Sequence, residues 1–275
     1  MAGGRVTDIL ASLTTTGAPH TWAHRLVTEC RASTRVNGVG LAVMDAGGIG
    51  GVLAATEGAG QRMEDLQFTL GEGPCTEASR SGRPVLVPDL RRGAATRWPA
   101  FAAEAAGAGV HAAFTFPLQV GAVTVGALDL YCTRTGGLTG RQVGEALAYA
   151  DAGATMLLHV QDGALPVDGG GVPSPDTPPA APGTGDGVAR EMAAVLDRHA
   201  AVHQAAGMIS VQLGVDPAAA LMRLRAHAFA VDRPILAVAA EVLARELRFD
   251  NSPAGTTVTP PPPSDPAEGG RRDDP

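Results

Sequence analysis

Lysine is absent from this sequence: all 21 basic residues among 275 are arginine. That excludes a P-loop, which needs a lysine at the phosphates, and Schiff-base chemistry, which needs an amine. A phospho-acceptor receiver domain, which also relies on a lysine, is disfavoured. Cysteine is scarce as well. Cys30, Cys75 and Cys132 are odd in number and lack any Cys-x-x-Cys spacing, so neither a disulfide framework nor a zinc site is supported. No apolar run reaches the roughly 18 residues of a membrane span, and no basic segment leads into an apolar core near the start. We therefore expect a cytoplasmic protein without a membrane partner. Catalytic signatures are missing too, with no Gly-x-Ser-x-Gly elbow, no His-Glu-x-x-His and no Asp-rich metal loop. The expectation is a non-enzyme with no metal site, and no motif indicates which cofactor, if any, is used.

What is present is a 45% hydrophobic chain of formal charge −7, long enough for one or two globular domains. The charge is uneven. Residues 161–187 hold four acids and no arginine, and residues 250–275 hold five acids against two arginines. Residues 188–249 hold seven arginines against six acids, so that segment is slightly positive before His199, His203 and His227 are considered. A negative total does not argue against a nucleic-acid partner, because attraction depends on the local face that meets the phosphates.

Two stretches are too rich in Gly, Pro and Asp to bury enough apolar area to offset ordering entropy. They divide the chain into an N-terminal tail (1–19), a first domain (20–160), a flexible linker (161–187), a helical domain (188–249) and a disordered tail (250–275). In the first domain a helix through Trp22, Leu26, Val27 and Cys30 leads to two apolar runs, Val39 to Met44 and Val52 to Ala55. The Asp45–Gly48 turn between them fits a hairpin. Val85–Val87 reads as a short strand, and Ala112–Val120 with Val123–Tyr131 as a second hairpin turning near Gly121. A closing helix with Thr139 as N-cap completes an α+β layered pattern with antiparallel pairing.

The helical domain begins with a long stripe: Val188, Met192, Val195, His199, Val202, Ala206, Ile209, Leu213. Alternating steps of four and three make an a/d seam, which predicts a homodimer through this helix, weakened when His199 is protonated. A second helix starts with Asp216-Pro217 as N-cap and first turn and carries Ala220, Leu221, Leu224 and Ala228 on one face. A third follows Asp232-Arg233-Pro234 and places Ile235, Val238, Ala239, Val242, Leu243 and Leu247 at helical spacing. Together they form an all-α three-helix bundle. The run Gln204-Ala205-Ala206-Gly207-Met208, then Ala219-Ala220-Leu221 with Leu224-Arg225, Ala228 and Ile235 to Val242, resembles the ANTAR domain, an RNA-binding antiterminator module. The resemblance implies structured RNA, hairpins in transcript leaders, as partner. It marks Gln204 and Arg225 as contacts; local charge adds His203, Arg223 and Arg233. One departure stands out: Ala206 occupies a position where the family commonly has a basic residue.

A second resemblance lies upstream. Leu70-Gly71-Glu72-Gly73-Pro74-Cys75-Thr76-Glu77-Ala78, Gly82-Arg83-Pro84-Val85, Pro88-Asp89-Leu90, Arg97-Trp98-Pro99 with Phe101, and Gly126 to Tyr131 are together similar to the GAF domain found upstream of ANTAR modules in actinobacterial regulators. It implies a pocket for an unknown small-molecule or protein signal, with Cys75, Trp98, Phe101, His111 and Phe114 as candidate lining. Gly71, Gly73 and Pro74 by themselves read as a tight turn into a helix. The expectation is a signal-responsive regulator that binds RNA hairpins to prevent transcription termination. Two rivals are a protein-interaction and dimerisation regulator without RNA binding, and a DNA-binding repressor. Against the latter, the last helix carries only Arg245 and Arg248 near its end, whereas a recognition helix reads bases from its N-terminal part.

Overall fold

Period-two alternation along the central strands decides which residues meet on each side of the sheet. In the computed structural model, which describes residues 2–14, 21–45, 48–164, 200–250 and 256–258, five strands form one antiparallel sheet in the order β2-β1-β5-β4-β3. These are β1 (Gly38–Asp45), β2 (Gly48–Ala55), β3 (Val85–Val87), β4 (Ala112–Val120) and β5 (Val123–Cys132). Both expected hairpins are there, the second turning at Gly121 with φ 61°.

One face of the sheet carries large apolar side chains, among them Leu41, Phe114, Phe116, Leu128 and Leu130, all buried. They pack under α1 (Ala2–Leu13), α2 (Trp22–Thr34) and α7 (Gly140–Ala164). Thr21 caps α2 by accepting a hydrogen bond from the His24 N–H. Thr139 Oγ1 likewise accepts from the Gln142 N–H at the start of α7. The helix α1 corrects the expectation of a tail over 1–19. Val6, Ile9, Leu10 and Leu13 recur at i, i+3, i+4, i+7, and Ile9 and Leu13 are buried in this core.

The other face is small and polar: Gly40 opposite Asp129, Ala42 opposite Ala127, Thr115 opposite Asp129, Ala113 opposite Tyr131. It is covered by α3 (Ala59–Leu70), α4 (Pro74–Ser81), the short α5 (Ala94–Arg97) and α6 (Pro99–Gly107). Glycine is required where α3 crosses the sheet, since a Cβ on Gly38 would stand 2.5 Å from the Gly60 backbone nitrogen.

Among the described residues three helices follow: α8 (Ala200–Leu213), α9 (Pro217–Ala230) and α10 (Ile235–Leu243). Gly214 in the left-handed region turns the chain by 106° between α8 and α9, and Asp216 caps α9 by accepting from the Ala219 N–H. The bundle is not all-α. Residues Leu247–Phe249 form β6, paired with β7 (Thr256–Val258). Leu247 was expected on the last helix, but α10 ends at Leu243 and Arg245 takes φ 64°, which a helix cannot continue through. Strand β7 also falls within the stretch expected to be a disordered tail, and α7 runs three residues past 161 into the expected linker. The remainder of linker and tail lies outside the described residues. Among the described residues no single helix is long and apolar enough to cross a membrane.

Candidate functional site

The polar sheet face gathers a buried cluster that no single stretch of sequence contains. Asp129 and Tyr131 rise from β5, Thr115 from β4, Glu64 and Gln67 from α3, and Cys75 from α4, and all are buried. The Tyr131 hydroxyl donates to Glu64 Oε1 at 2.7 Å and accepts from Gln67 Nε2 at 2.7 Å. Gln67 Oε1 in turn accepts the Cys75 backbone N–H at 2.9 Å, which ties the start of α4 to α3. Thr115 donates to Asp129 Oδ1, while Asp129 Oδ2 is buried with no hydrogen-bond partner among the described residues. Gly40 leaves the space that the Glu64 carboxyl fills, because an added Cβ there would collide with it.

Two carboxyls out of water near one another resist ionising. Burial pushes Asp129 up to about 6, held from going further by the Thr115 hydroxyl and the Cys75 thiol. Burial and the neighbouring Asp129 charge push Glu64 well up, while the Tyr131 hydroxyl opposes the shift. Burial, then Asp129 and Glu64, push the Cys75 thiol up. Cys75 is therefore held as a thiol and lacks the lowered pKa a reactive cysteine needs.

The candidates proposed from sequence do not line one pocket. Cys75 belongs to the polar cluster. Trp98 and Phe101 stack edge to face at 6.2 Å in the core beside Met63, Val110 and Tyr131, and Arg97 lies over the Trp98 ring. Phe114 is buried on the opposite face of the sheet, because its strand position alternates away from Thr115. His111, half-buried just before β4, is fixed through its backbone to Cys132 and Leu90, and its Nδ1 is buried without a hydrogen-bond partner among the described residues. Among the described residues no group of three metal-ligating side chains comes together.

Sequence reasoning missed Glu64, Gln67 and Glu72. Glu72 Oε1 accepts the N–H groups of Ala100 and Phe101 at 2.8 and 2.9 Å and so caps α6 from 28 residues away. The Gly71–Pro74 turn is structural as read: Gly71 and Gly73 take φ 66° and 134°, and Pro74 opens α4.

The helical module is seated on this same side of the first domain. One apolar cluster joins Ala42, Ile49, Phe68, Cys75 and Ala127 to Val202, Ile209, Leu224, Ile235, Val238 and Phe249. Helix α9 packs on α3, and the Arg225 guanidinium rests over Gly71, where any side chain would strike it. Of the expected RNA contacts, His203, Gln204, Arg223 and Arg233 are exposed, whereas Arg225 is half-buried in this contact. Arg233 pairs with Glu241 through both guanidinium nitrogens. In the expected dimer seam, Val188, Met192, Val195 and His199 lie outside the described residues. Val202 and Ile209 are buried within their own chain, packed with the module and the first domain.

An antiparallel five-stranded sheet with helices on both faces, and a buried polar cluster under one of them, defines an α+β domain. The family model described as GAF domain matches residues 9–157, and the chain belongs to that family. GAF domains take small-molecule or protein signals. Among solved structures, the GAF domain of a phosphoenolpyruvate-protein phosphotransferase from Coxiella burnetii is 16% identical, over 60% of this chain and 97% of that one, at a TM-score of 0.46. The GAF domain of the Acinetobacter phosphoenolpyruvate-protein phosphotransferase is 10% identical, over 59% and 96%, at 0.44. A type II free methionine-R-sulfoxide reductase from Thermoplasma acidophilum is 13% identical, over 55% and 93%, at 0.38. No curated protein matches the sequence.

Proposed function

We propose that the chain is a non-enzymatic, signal-responsive regulator in which the GAF domain controls a C-terminal ANTAR-like module that binds RNA hairpins and opposes transcription termination. The observation that carries the coupling is the shared apolar cluster: Phe68 and Cys75, next to the polar network, are packed with the core of the helical module. A change in that network is therefore a change at the module's seat. The RNA assignment rests on the residue pattern of α8 to α10, and exposed His203, Gln204, Arg223 and Arg233 supply hydrogen-bonding and charge for RNA loops and phosphate.

A second reading, an interaction regulator without RNA binding, is favoured by two observations. Ala206, which replaces the family's basic residue, is buried, and Arg225 is engaged by the first domain. A gel shift of the full chain with an RNA hairpin and a duplex DNA of matched length separates these readings. Retarded hairpin with free DNA supports the first, and no shift with either supports the second.

A further inference from the structure

Away from the polar cluster, a cavity of about 310 Å³ opens along the outer side of β2, between the GAF domain and α10. Residues 51–55 of β2 line it along one side. Because β2 ends the sheet, one side of its backbone has no strand partner among the described residues. Phe68 from α3 and Leu236 from α10 supply apolar walls, and Gln61, Asp65 and His24 bring polar atoms to it. The size falls at the lower end of small-molecule sites, room for a ligand on the order of a dozen heavy atoms.

The chemistry of the ligand follows from Asp65. Its Oδ1 accepts from Gln61 Nε2 at 2.9 Å, and among the described residues it pairs with no arginine. Partial burial pushes its carboxyl up, against the Gln61 hydrogen bond. A carboxylate that lines a cavity with apolar walls, and that pairs with no arginine among the described residues, favours a ligand that brings a cation.

We infer that this junction cavity is a binding site for a small amphipathic organic cation, an amine or guanidine on an apolar body, with Asp65 as counter-ion and Phe68 and Leu236 clasping the body. The site is separate from the buried cluster of Glu64, Asp129 and Tyr131, which faces the interior of the sheet's covered side. Because Leu236 belongs to the helical module, occupancy ties the module to the GAF domain. The inference stands whether or not the module binds RNA.

Isothermal titration of the full chain with tryptamine tests it, with indole-3-acetate as a probe of similar shape and opposite charge. Tryptamine is expected to bind saturably below millimolar concentration and indole-3-acetate at least tenfold more weakly. Asp65→Asn, an exposed and nearly isosteric change, is expected to weaken tryptamine at least tenfold while leaving the melting temperature unchanged, and Leu236→Trp to abolish it by filling the cavity. Absence of tryptamine binding, equal affinity for the two probes, or unchanged affinity in Asp65→Asn overturns the assignment; the Asp65→Asn arm decides even if Leu236→Trp fails to fold.

Discussion

Gly71 serves two purposes at one position. It ends α3 in the left-handed region, and it leaves room for the Arg225 guanidinium. Gly121 has nearly the same φ, 61°, and nothing within reach of an added Cβ. Gly121→Ala should therefore cost only left-handed strain, about 1 kcal/mol. Gly71→Ala should cost more, and the excess should shrink when Arg225 is also replaced by Ala, as a thermal-melt double-mutant cycle would measure. Glu72→Ala leaves two N–H groups of α6 uncapped and should lower stability by about 1 to 2 kcal/mol in a denaturant titration. Asp129 gives a pH signature. Its folded pKa is raised to about 6, so folding favours the protonated form; that contribution is complete below the ordinary carboxyl range and is lost as pH rises through 6. The melting temperature of the wild type should fall relative to Asp129→Asn between pH 4 and pH 7, and parallel curves would count against the assignment.

Elements whose pattern is local were legible in the sequence. Turn residues at Asp45–Gly48 and Gly121 marked both hairpins, and Asp216-Pro217 marked the start of α9. The helix α1 carried its i, i+3, i+4, i+7 stripe openly, but Gly3 and Gly4 in its first turn are poor helix formers and obscured it. The buried cluster could not be read, because Glu64 and Tyr131 meet across 67 residues and a polar residue at an alternating strand position ordinarily points to water. On α8 the periodicity was real, but a stripe of this kind does not say whose surface it meets. The structure gives it to the same chain, so Ile209→Ala should lower stability by about 2 to 5 kcal/mol, with no change in mass by sedimentation. If dissociation rather than unfolding follows, the intrachain packing of α8 is not what this position supports.

For the molecule as a whole, net negative charge is compatible with RNA only if the arginine-bearing side of the module is presented to it. Arg223 and Arg233 are exposed while Arg225 is half-buried beside Gly71, so the face available in this arrangement is smaller than the sequence pattern implies. The Arg233–Glu241 pair is at the surface, where ion pairs contribute little to stability, so its loss should report on binding and not on folding. The decisive measurement is fluorescence anisotropy of a labelled RNA hairpin titrated with the full chain and with Arg233→Ala at one fixed salt concentration, beside a duplex DNA of matched length. The account predicts saturable hairpin binding, weaker duplex binding, and about a tenfold loss in Arg233→Ala at an unchanged melting temperature. No saturable hairpin binding by the wild type at tens of micromolar, or equal affinity for duplex DNA, would contradict it.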